Sequence, residues 1–182
     1  MARARFSGLA WLFLLVVSVI PIAAQPKKLS SKDQVVFGAY WTAEPGWHTE
    51  FQLRNNLLSA PLTVIPVLRL ANGQEYPLSA VTIPVSDVST VDVSQELAKL
   101  ASPISEQAGT YGSVVFKFSA PFARSLYAAI MIHEIGQPIG YHIDAYPIDP
   151  EYIAGTREGI WWMPRSTTKD SLIIANGDDQ PN

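Results

Sequence analysis

The chain has 182 residues, with 13 basic and 16 acidic groups, a net charge of −3 and no cysteine. A mildly acidic balance without a Lys/Arg cluster excludes the electrostatic footprint of a nucleic-acid or anionic-membrane binder. The missing cysteine excludes thiol nucleophiles, cysteine-ligated zinc and iron–sulfur clusters, and a chain of this size buries enough surface, roughly 70%, to fold without disulfides.

The amino terminus reads as three parts. Met1-Ala-Arg-Ala-Arg5 is basic, Leu9 to Ile20 is apolar apart from Ser18, and Ala23-Ala24 offers two small residues before the polar Gln25. These are the n-region, h-region and cleavage site of a secretory signal peptide. The apolar run is shorter than the roughly 20 residues a spanning helix needs. Residues 1–24 are therefore read as the signal, cut between Ala24 and Gln25, and residues 25–33 as a polar, flexible lead-in. The expected destination is the periplasm, the cell surface or the medium, with no membrane attachment after cleavage. The signal holds two basic groups and no acidic one, so the remaining 158 residues carry a net charge of −5.

Beyond the lead-in the period of the chain is two. Trp47, Thr49, Phe51 and Leu53 alternate with His48, Glu50, Gln52 and Arg54, the pattern of a half-buried antiparallel strand over Trp47 to Asn55. Leu62 to Leu70 and Glu75 to Leu78 flank Asn72-Gly73, which predicts a hairpin closed by a two-residue turn. Pro66 lacks a ladder donor and predicts an edge strand or a bulge. Short alternating strands follow at Val81–Val85, Thr90–Val93, around Val114, Phe116 and Phe118, around Leu126, Ala128, Ile130 and Ile132, and around Tyr141, Ile143 and Ala145. The single helical candidate is Gln95 to Leu100, capped by Asp92 or Ser94. Many short strands, turn clusters and one short helix predict an all-β fold, an antiparallel β-sandwich spanning residues 34–158.

Six positions recur at a fixed offset of 121 residues. Gly38, Tyr40, Trp41, Phe51, Leu53 and Asn55 are echoed by Gly159, Trp161, Trp162, Leu172, Ile174 and Asn176. Residues 159–182 read either as the start of a truncated second repeat or as strands that complete the first domain's sheet. On the Gly38-to-Asn55 stretch, its echo, and the Gly109-Thr-Tyr111-Gly-Ser-Val-Val115 strand entry, the chain resembles uncharacterised exported bacterial proteins built of immunoglobulin-like or fibronectin-III-like sandwich modules. That resemblance implies an Ig-like sandwich and transfers no functional residues.

Catalytic motifs are scarce. His133-Glu134 opens like a zincin motif, but Gln137 stands where the second histidine belongs. His133, His142 and Asp144 are the candidate metal ligands, because His142 and Asp144 share a strand face and the loop 134–138 could fold His133 back towards them. There is no Gly-x-Ser-x-Gly elbow and no glycine-rich phosphate loop. No enzyme and no cofactor are expected. The adjacent aromatics Tyr40-Trp41 and Trp161-Trp162 each place one ring outward if they lie on strands, which makes Trp41, Trp161 and Trp162 the candidate ligand-binding residues. The expected function is a secreted, non-catalytic module for adhesion, spacing or protein partner binding. The alternatives are a carbohydrate-binding module that uses exposed aromatics, or a metal-dependent hydrolase.

Overall fold

The computed structural model describes residues 31–100 and 110–148. The expected signal and its cleavage site at Ala24 and Gln25, the echo at 159–176, and Trp161 and Trp162 all lie outside the described residues.

Among the described residues ten strands form two antiparallel sheets: β1 (Lys32–Thr42), β2 (Trp47–Asn55), β3 (Leu62–Leu70), β4 (Glu75–Pro77), β5 (Val81–Ile83), β6 (Val88–Asp92), β7 (Tyr111–Ala120), β8 (Leu126–Glu134), β9 (Gly140–Asp144) and β10 (Tyr146–Pro147). One sheet runs β10-β1-β7-β3-β4, with β5 also pairing β3; the other runs β6-β2-β8-β9. The strands inside the sheets are nine to eleven residues long, whereas those on the borders have five or fewer. The protein is mostly β, and the two layers make the antiparallel sandwich that the alternation predicts.

The layers meet through the apolar rows. On β2, Thr49, Phe51, Leu53 and Asn55 are buried, while Gln52 and Arg54 are exposed. Phe51 packs edge-on against Phe116 of the other sheet, with ring centroids 5.2 Å apart. Around this contact lie Val36, Trp41, Val64, Leu68, Val114, Ala128, Ile130 and Ile132. Gly38 allows the sheets to close, because a Cβ there would sit 2.6 Å from the Ile130 methyl.

Thr49, Asn55 and Trp41 pair their polar groups inside the sandwich. The Thr49 hydroxyl donates to the Thr42 carbonyl at 2.5 Å and accepts from the Thr42 N–H, locking the corner between β1 and β2. Asn55, fully buried, donates its amide to the carbonyls of Ala60, Ile83 and Pro84 and accepts from the Leu57 N–H, so it ties the end of β2 to the end of β5. Trp41 donates its indole N–H to the Ser113 carbonyl at 2.8 Å.

Several details differ from the sequence reading. The lead-in expected over 25–33 gives way to β1 at Lys32, because Lys32 and Asp33 pair with Ala120 and Ser119 on β7. The Asn72-Gly73 hairpin forms, but its loop has three residues, 71–73. The Leu70 carbonyl accepts from Gly73 N–H and the Leu70 N–H donates to Gln74. Only Gly73 takes a positive φ, and Asn72 instead accepts the Gln74 N–H through its side chain. This is a turn followed by a bulge rather than a two-residue turn. Pro66 sits where the border beside β3 is split between β4 and β5; its carbonyl accepts from Leu78 N–H, and its missing donor faces that break. The helix α1 covers Val93–Ala98, two residues earlier than expected at its start, with Asp92 accepting the Gln95 N–H.

At the far end the chain changes layer within one residue. Ala145 still donates to Ala128 of the four-stranded sheet, while Tyr146 already pairs with Phe37 of the other.

Candidate functional site

The register of the four-stranded sheet gathers polar chemistry on its outer face. Along β2 the outward residues are His48, Glu50, Gln52 and Arg54. Their partners are His133, Met131, Ala129 and Tyr127 on β8, and Asp92, Thr90 and Val88 opposite the last three on β6. On β9, His142 and Asp144 lie opposite Met131 and Ala129. All three histidines of the chain therefore share one face of one sheet.

Two clusters form there. In the first, the His48 and His133 rings lie with centroids 4.8 Å apart and planes tilted by 52°. His48 Nε2 is 3.2 Å from Glu50 Oε1 and 3.8 Å from Asp92 Oδ2. In the second, the Tyr127 hydroxyl donates to Asp144 Oδ1 at 2.7 Å, and His142 Nε2 is 3.2 Å from the same oxygen. The hydrogen bond to Asp144, then burial, raises the Tyr127 pKa above its ordinary value. The phenol is thus a fixed donor at neutral pH and a poor base.

Beside the second cluster an open depression is lined by Gln52, Arg54, Asn56, Val88 and Tyr127. Asn56 is held at its rim by donating to the Arg124 carbonyl. Ala129, although on the outer face, is only 1% exposed, so its small side chain forms a floor between larger neighbours.

The structure brings His142 and Asp144 together, as their shared strand face implies. It does not bring His133 to them. Strand β8 continues through Glu134, the hairpin sets His133 opposite Gly140, and its ring rests on His48 instead. Among the described residues no three His, Asp or Glu side chains converge where a metal ion could sit, so the His133, His142 and Asp144 trio does not form a site. Trp41 is also corrected as a ligand platform: it is fully buried, and half-buried Tyr40 packs against the same core. The register shift between Gly38 and Trp41 breaks the simple alternation that would have turned one ring outward.

Sequence reasoning passed over His48, Tyr127, Arg54 and Gln52 as members of a site. Their alternation marked them as outward, but only the pairing of β2 with β8, 80 or so residues apart, puts them side by side.

No family model, curated protein or solved structure matches the chain.

Proposed function

We propose that the chain is an exported, non-catalytic sandwich module that binds a protein partner through the outer face of its four-stranded sheet. The supporting observation is that face itself: Arg54, Gln52, Asn56 and Tyr127 surround an open depression. A guanidinium, an amide and a phenol held around an open hollow suit recognition of carboxylates and backbone amides on another chain. Export rests on the leader-like residues 1–24. The two-layer architecture is that of the immunoglobulin-like and fibronectin-III-like modules the chain resembles. Its strand order supports that reading: β1-β7-β3 in one sheet and β2-β8-β9 in the other run in the B-E-D and C-F-G order of the immunoglobulin fold.

The carbohydrate-binding alternative has lost Trp41, and the outward aromatic beside the depression is Tyr127. A photo-crosslinking amino acid at position 127 or 52 tests the proposal in cells that export the chain. We expect a discrete protein adduct from both positions and none from Thr63 on the opposite sheet. Equal labelling from all three positions, or recovery of the chain in the cytosol with residues 1–24 intact, sinks the reading.

A further inference from the structure

We propose that His48 and His133 form a two-imidazole site for a borderline transition-metal ion of the Zn(II) or Cu(II) type on the outer face of the four-stranded sheet. The inference goes beyond partner binding and stands on separate residues.

The pair is built by the fold. His48 and His133 are direct cross-strand partners of β2 and β8, the two inner strands of the sheet. Side chains so placed have Cβ atoms about 5 Å apart and project in parallel, so two ligands are presented together without loop movement. The ring spacing fits an ion. At a metal–nitrogen distance of ~2.0–2.1 Å an ion lies about 3.2 Å from each ring centroid, so centroids 4.8 Å apart subtend roughly 100° at it. That angle falls between the square-planar and tetrahedral values, and imidazole is a preferred ligand of zinc and copper.

The neighbours of His48 complete the argument. Glu50 Oε1 accepts from the Nε2 side of the ring at 3.2 Å, which leaves the Nδ1 lone pair for a metal. A carboxylate on the far nitrogen fixes the tautomer and raises ligand basicity, the arrangement found behind most metal-bound histidines. Asp92 reinforces it: Oδ1 caps α1 through the Gln95 N–H, and Oδ2 is left facing His48 at 3.8 Å. The carboxylates therefore support the ligand rather than bind the ion, consistent with the lack of three converging ligands among the described residues. Two imidazoles leave open coordination positions for water or for a donor from another molecule.

The experiment uses the full exported chain, free of any histidine tag, titrated with Zn(II) by calorimetry and with Cu(II) by NMR of the imidazole protons. We expect His48→Gln and His133→Gln each to weaken Zn(II) binding about tenfold or more, as loss of one arm of a chelate does, and His142→Gln to leave it unchanged. Substoichiometric Cu(II) should broaden the His48 and His133 resonances before those of His142. Absence of Zn(II) binding at millimolar metal overturns the proposal. So does an equal effect of all three substitutions, or Cu(II) broadening spread evenly over the three rings. Because these side chains lie outside the core, unchanged far-UV spectra should accompany every variant, and the partner crosslink from position 127 is scored separately.

Discussion

The inner and outer faces of the four-stranded sheet are made from the same two strands and behave as different materials. On β2 and β8, Phe51, Leu53, Ala128, Ile130 and Ile132 turn inward and are 0–2% exposed, packed against the other layer. One residue along, Gln52, Arg54, Tyr127 and His133 turn outward into hydrogen bonds, ring contacts and open solvent. A pleat of period two lets a single strand carry both rows without compromise. Stability and recognition are thereby separable by residue parity, and substitutions should sort accordingly.

The largest effect is expected where backbones, not side chains, approach. Gly112 lies between β1 and β3 in register with Trp41 and Leu70, and a Cβ there would fall 1.9 Å from the Arg69 carbonyl oxygen. Neither backbone can yield without breaking a ladder. Gly112→Ala should cost at least about 3 kcal/mol in urea denaturation. A near-neutral midpoint would mean that β3 and β7 are farther apart than described.

A smaller loss is expected at Asn55, whose side chain satisfies three carbonyls and one N–H inside the sandwich. Asn55→Ala leaves these groups without partners and should destabilise by about 2–3 kcal/mol. Asn55→Asp removes the donors but keeps the acceptor, and should fall at least as far.

The outer face should be the least sensitive. Tyr127→Phe removes the donor to Asp144 and should change neutral-pH stability by no more than about 0.5 kcal/mol. Its signature is in the pH dependence. Hydrogen bonding to Asp144, then burial, raises the folded-state Tyr127 pKa above its ordinary value near 10. The contribution is therefore fully present below that value and is lost as pH climbs through the raised one. Denaturation midpoints of wild type and Tyr127→Phe should differ most below pH 10 and converge in stronger alkali. A gap that widens with alkalinity would show that Tyr127 does not donate to Asp144.

How much of this was readable depends on the range of the interaction. Strand β2 was legible to the residue, because nothing interrupts its alternation. The start of β1 was not, since Lys32 and Asp33 look like a solvated tail until β7 is laid beside them. Asp92 was legible as one of two candidate helix caps, beside Ser94, because capping is local. Trp41 misled, because the irregularity after Gly38 re-aims the side chains that follow. The metal trio failed on register: His142 and Asp144 are neighbours on one strand, but the place of His133 is decided by which residue of β2 it meets. Composition and periodicity state which way a side chain points, and only the ladder states what it points beside.

The contrast in strand length also bears on how the protein meets others of its kind. Each border strand offers at most five residues' worth of free backbone groups, and Pro77 subtracts a donor from β4. Templated growth of a sheet needs a long, regular run of such groups to copy. Among the described residues β2, β3, β7 and β8 are flanked on both sides, whereas the outer side of the eleven-residue β1 is covered by β10 only at Val36 and Phe37, so main-chain association with another molecule is confined to that one strand.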